Sequence, residues 1–193
     1  MPNIGAEAEG GARRWPALVL GMGNVLRRDE GLGVRALQRL AACYAPHDDV
    51  RLVDGGTLGL DLLSYLEEAD RLLVLDAALT DGPAGTLLRM AGDDVPAFFA
   101  MRSSPHEVGL PDLLAVTRLR GTQPPEVVVL GMQPGVIELG WDLSPAVAAQ
   151  LEALVMAAVD QLRDWGIELT PIPTGMQLKH EPTAPEGGIL CTK

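Results

Sequence analysis

Apolar residues fall into two patterns along this chain. Short unbroken runs stop at a glycine or an acidic residue: 17–22 (ALVLGM), 50–56 (VRLVDGG), 71–78 (RLLVLDAA), 85–90 (GTLLRM) and 126–134 (EVVVLGMQP). Runs of this length, with no polar alternation, predict strands buried on both faces. Between them the apolar positions recur at helical spacing. Val34, Leu37, Leu40, Ala41 and Tyr44 share one face of 31–45, and 61–70 (DLLSYLEEAD) predicts a second helix. A third is expected over 106–119 (HEVGLPDLLAVTRL), with Pro111 marking its first turn. The last is expected to start at Ser144 as N-cap and Pro145 at the first helical position. It carries the stripe Val147, Leu151, Leu154, Val155, Ala158 and Leu162, and stops at Gly166.

Strands alternating with helices predict an α/β fold in three layers, a twisted five-stranded, mostly parallel sheet between helices. The fourth strand follows the third after the turn TDGPAG with no helix between, so that strand is expected to run antiparallel. At 193 residues one domain is expected, over 17–166. Residues 1–16 have no apolar core of a secretory signal and are taken as a flexible leader. Residues 167–193, rich in proline, glycine and polar residues, are taken as a flexible tail.

Composition narrows the chemistry. With 47% apolar residues but only 4% aromatic, the core must be built from Leu, Val and Ala. A formal net charge of −11 argues against nucleic acid or an anionic membrane as the main partner and fits a cytoplasmic protein. No apolar run approaches the ~20 residues that span a bilayer. The two cysteines, Cys43 in an apolar helix and Cys191 in the tail, make no disulfide framework.

The first strand leads into GMGNVLRRDEGLG, 21–33. A dinucleotide turn needs G-x-G-x-x-G, and Leu26 stands where the third glycine belongs. Asp54 imitates the ribose-binding acid of that fingerprint, but the segment NVLRRDEG delays the helix, and no phosphate-binding P-loop motif occurs. A serine nucleophile is disfavoured too. Ser103 and Ser104 precede His106, but there is no G-x-S-x-G elbow. Polar residues instead interrupt the strand ends: Asp29 and Glu30 after the first, Asp54 closing the second, Asp76 closing the third, and His106 in the loop SSPH. The carboxyl ends of parallel strands share one edge, where ligands bind. Carboxylates and an imidazole converging there would suit a divalent first-row metal such as zinc or nickel, with open coordination positions. Each residue also has an ordinary reading: an aspartate after a strand as a turn or helix cap, a histidine as a satisfied surface group. His47 and His180 are left on that reading.

In order and spacing, GMGNVLRRDEGLG, VDGGTLGLDLL, LLVLDAA, SPHEVGL and VVVLGMQP resemble the nickel–iron hydrogenase maturation endopeptidases, from about residue 17 to 165. The resemblance implies a five-stranded sheet with one antiparallel strand. It implies an endopeptidase that makes a single cut in the hydrogenase large-subunit precursor, removing a C-terminal extension once nickel is in place. It carries the metal ligands over to Glu30, Asp76 and His106, with Asp54 as a supporting residue. Nickel is expected to arrive with the substrate, other divalent metals substituting in vitro, and the enzyme to act as a cytoplasmic monomer. The family is sometimes classed with aspartic proteases, yet the paired D-T/S-G motif is absent. Either the metal polarises the scissile bond, or a carboxylate such as Asp54 activates water. The competing readings are a nickel-dependent checkpoint or chaperone that cleaves nothing and, behind it, a nucleotide- or nucleoside-binding α/β enzyme.

Overall fold

The computed structural model describes residues 14–92, 94, 95 and 109–173. Its elements are β1 (Ala17–Met22), α1 (Leu32–Cys43), β2 (Val50–Gly56), α2 (Leu63–Glu67), β3 (Arg71–Ala77), β4 (Leu87–Ala91), α3 (Leu110–Arg120), β5 (Glu126–Met132), α4 (Pro145–Ala148) and α5 (Leu151–Asp164). Short 3-10 turns at Arg28–Gly31 and Gly59–Leu62 lead into α1 and α2. The sheet order is β2-β1-β3-β5-β4. The first four strands in that order are parallel and β4 is antiparallel to β5. The five-stranded α/β architecture with one antiparallel strand is therefore as expected. β4 does not pair with β3, however, because β5 lies between them.

The unbroken apolar runs occupy the sheet centre because both faces are covered. Ala17, Val19, Leu73, Leu75, Val128 and Leu130 pack under α1 and α5, and Leu18, Leu20, Leu72, Val74, Val127 and Val129 under α2 and α3. α1 lies so close to the sheet that a Cβ on Gly33 would stand 2.0 Å from the Leu75 carbonyl oxygen and 2.5 Å from that of Met22. Gly33→Ala is therefore expected to destabilise the fold by about 2–3 kcal/mol, since backbone cannot yield as a side chain can. Gly121, with φ +70° and open space around it, should lose only ~1 kcal/mol on the same change. Urea unfolding of the two variants checks the ranking.

Several boundaries differ from the sequence reading: α3 starts at Leu110 with Gly109 as its N-cap rather than at 106, and α2 is shorter than 61–70 because a 3-10 turn takes its first residues. The final helix is two, broken at Ala149–Gln150. Ser144 occupies the N-cap position of α4, but its hydroxyl donates elsewhere, to Asp29. The leader is pinned from Arg14: Trp15 N–H donates to the Glu68 carbonyl and the Arg14 guanidinium meets Asp70 at 2.6 Å. Nor is the tail loose from 167. Ile167 is buried, and Ala45 and Thr170, then Ile172 and Cys43, are joined by backbone hydrogen bonds. Apolar spacing alone misses such a segment because it is held by main-chain bonds to the end of α1. Cys43 is free and half-buried, less enclosed than its helical position suggested. Cys191 and His180 lie outside the described residues. His47 accepts the Asp49 N–H at its Nδ1. No helix among the described residues is long and apolar enough to cross a membrane.

Candidate active site

The carboxyl ends of β1, β2, β3 and β5 form one edge of the sheet, and the segment after β1 is folded back over it. Gly23 makes the turn at φ +111°, and its missing Cβ leaves the place taken by the Glu30 carbonyl, 1.8 Å from where that atom would be. The Asn24 carboxamide accepts the Leu26 N–H at 3.0 Å, and the Asn24 carbonyl accepts the Arg27 N–H at 3.0 Å. Gly31 and Gly33 do not leave room for a partner, as a glycine-rich stretch invites one to think. Their vacant side-chain positions face Val25 and the carbonyls of Leu75 and Met22. The glycines instead let a compact turn sit directly on the strand ends, and that turn brings Glu30 to Asp76.

Asp76 is the one acidic residue of β3, next to its end, and is half-buried. Burial pushes its carboxyl up to about 7; the Ala77 N–H, donating to Oδ1 at 2.7 Å, pulls the other way, and the charge of Glu30 adds to the rise. Glu30 meets the Arg27 guanidinium at 2.7 Å. Two carboxylates thus share the edge, one of them titrating near neutrality. Such a pair can pass a proton, or accept a cation that relieves its repulsion. Two oxygen-donor carboxylates side by side at the sheet edge suit a divalent metal.

Asp54 is near but apart. It pairs across the ladder with Gly21 of β1, which pairs in turn with Leu75, so β1 separates it from β3. Its carboxyl is raised by burial, offset by the Gly56 N–H it accepts at 3.1 Å, with no contribution from Glu30 or Asp76. His106 lies outside the described residues. Among those residues no group of three His, Cys, Asp or Glu side chains gathers as a metal centre.

The sequence reading assigned no task to Asp29, which is fully buried beside Glu30. Its Oδ2 accepts N–H groups from Gly135 at 2.9 Å and Val136 at 2.8 Å and the Ser144 hydroxyl at 2.7 Å, while Oδ1 accepts the Ser144 N–H at 2.6 Å. Burial alone would raise this carboxyl, but the hydrogen bonds from Ser144, Val136 and Gly135 outweigh it and hold it below the usual range. Nothing in the local pattern marks Asp29, because its donors are more than 100 residues away. Arg28 beside it is the described non-glycine residue in the left-handed region, at φ 50°. It is held there by its N–H on Gly140 and its Nη1 on Glu138 at 2.8 Å.

A family model described as hydrogenase maturation protease matches residues 34–161. Over 155 residues the chain is 48% identical to the hydrogenase expression/formation protein HupD of Rhodobacter capsulatus, spanning 79% of this chain and 74% of that protein. It is 37% identical over 155 residues to the hydrogenase 2 maturation protease of Escherichia coli strain K12, spanning 80% of this chain and 94% of that one. Among solved structures, the hydrogenase maturating endopeptidase HybD from E. coli aligns with a TM-score of 0.76 at 36% identity, covering 80% of this chain and 96% of that one. The [NiFe] hydrogenase maturation protease HybD from Thermococcus kodakarensis aligns at 0.58 and 25% identity, covering 75% and 97%.

Proposed function

The chain belongs to the hydrogenase maturation protease family, and we propose that this endopeptidase cuts the precursor of a hydrogenase large subunit once, removing its C-terminal extension after nickel insertion. The observation that carries the site assignment is the Glu30–Asp76 pair at the carboxyl edge of the parallel strands, with a carboxyl at about 7. In this reading Glu30, Asp76 and His106 are the protein's contacts to the nickel that the substrate brings. Nickel held there would supply charge stabilisation to the scissile carbonyl. Glu30, oriented by Arg27, holds its carboxylate at the edge, and Asp76 offers Oδ2 to the metal, since Oδ1 is engaged by Ala77 N–H. Asp54 lies on the neighbouring side of β1 and serves as a supporting acid, not as the second half of an aspartic dyad. The protein acts as a monomer in the cytoplasm.

The experiment is to mix purified protein with nickel-loaded precursor and measure its mass. Loss of a C-terminal fragment is expected. A nickel-dependent complex with an uncut precursor would identify a checkpoint instead. Nickel-free precursor under chelation, with the protein in excess, is expected to stay intact; efficient cutting there would remove metal recognition from Glu30 and Asp76. Deleting 174–193 is expected to leave processing within twofold, because the described main-chain bonds from 167–172 to the end of α1 remain in the shortened chain.

A further inference from the structure

Beside the carboxylate pair, two loops are bound into a ribbon. Arg28 N–H donates to the Gly140 carbonyl at 3.0 Å, and Gly140 N–H to that of Leu26 at 2.9 Å. Arg28 Nη1 meets Glu138 at 2.8 Å, its Nε donates to the Asp142 carbonyl at 3.1 Å, and Arg35 of α1 donates to the Trp141 carbonyl. At the base sits the Asp29 carboxylate with its four hydrogen bonds. Beside the exposed Glu138 and Asp142, this framework displays four apolar side chains. Leu26 is 47% exposed, Ile137 44%, Leu139 85% and Trp141 67%.

A loosely held loop would tuck such side chains against the protein. Here the backbone is fixed by a buried charge, an ion pair and a ladder, so the exposure is built in. The ribbon also runs directly into the 3-10 turn that carries Glu30, making the patch continuous with the candidate site. Four side chains offer a few hundred Å² of apolar surface, well below the ~800 Å² per partner of a stable interface. That suits the anchor of a transient encounter, with Trp141 at its centre, better than a lasting dimer of this chain.

We propose that this ribbon is the surface on which the folded large-subunit precursor docks, separate from the peptide that is cut. The inference rests on the substrate assigned above. Its test compares the wild type, the double variant Leu139→Ser with Trp141→Ser, the milder Leu139→Gln, and Leu119→Ser as a control. Leu119 is 88% exposed on α3, away from this edge.

With nickel-loaded precursor, the double variant should raise KM at least tenfold and leave kcat within about twofold. Leu139→Gln should raise KM severalfold, and Leu119→Ser should change neither. Unchanged KM in an active series overturns the proposal, as does an equal rise in the control. If the double variant melts early, Leu139→Gln decides. If the wild type cuts nothing, the substrate reading fails, and sedimentation with the precursor reads docking alone: binding weakened tenfold in the double variant supports the ribbon, and equal binding overturns it. A wild-type dimer that the double variant dissolves would assign the ribbon to a second copy of this chain and overturn the proposal.

Discussion

Asp76→Asn is expected to slow processing at least about 100-fold while making the protein more stable than the wild type at pH 8. The loss follows from the role proposed for this carboxyl. The gain follows from its surroundings. Burial, with Glu30 adding, pushes the Asp76 carboxyl from 3.8 in an unfolded chain to about 7 in the fold. A raised acid binds its proton more tightly folded than unfolded, so wild-type stability falls as pH rises from about 4 to about 7 and stays lower above that. The full separation corresponds to roughly 4 kcal/mol, but the group is only half-buried and water screens it. About 1–2 kcal/mol is the expected gain at pH 8, or several degrees in Tm. Asparagine keeps an oxygen for the Ala77 N–H. The check is a set of melting curves from pH 4 to 8 for both proteins, whose difference should open with rising pH. A variant that melted lower than the wild type at pH 8 would mean that the Asp76 carboxylate stabilises the fold, and unchanged processing would remove it from the reaction.

Asp29→Ala should show the opposite balance, a loss of about 3–5 kcal/mol in stability. It strips the acceptor from the N–H groups of Gly135, Val136 and Ser144 and from the Ser144 hydroxyl, all facing a fully buried position. The carboxyl is held below its usual range, so it contributes stability above about pH 4, lost as pH falls through its folded value. The wild type should therefore be more acid-labile than the variant in relative terms. The turn bearing Glu30 should loosen with it, and processing should fall along with the melting temperature. Ser144→Ala, which removes one donor and leaves the carboxylate bonded by three N–H groups, should lose only ~1 kcal/mol. Denaturant unfolding separates the two. An Asp29→Ala protein within 1 kcal/mol of the wild type would mean that the 135–144 loop is held by its ladder to Leu26 and Arg28 alone.

Both variants bear on why neighbouring acids in one motif differ so much. Asp29 and Glu30 look alike in sequence. A 3-10 turn rotates one inward, onto donors from a distant loop, and the other to the sheet edge beside Arg27 and Asp76. Local spacing tells that two carboxylates follow β1. It is silent on which is a structural clamp and which meets a ligand, because every donor to the Asp29 carboxylate comes from residues 135–144, more than 100 positions on.

What the sequence determined by itself was whatever depends on contacts near in the chain or on burial alone. Runs such as ALVLGM and RLLVLDAA are apolar on both faces and can only be covered strands, and the helical stripe of 31–45 needs a sheet to lie on. Parallel strands then bring their carboxyl ends to one edge, so Glu30 and Asp76 were legible as neighbours from their positions at strand ends. The quoted motifs made the family legible as well. The tertiary structure decided what depends on meetings across the chain. It inserted β5 between β3 and β4, set Asp54 across β1 from Asp76, and filled the empty positions of Gly31 and Gly33 with the protein's own backbone. It also tied 167–172 to α1 and gave the Ser144 hydroxyl to Asp29. Long-range hydrogen bonds and backbone close approaches leave no periodic trace in a sequence: they are set by where two distant segments happen to touch once the core has formed.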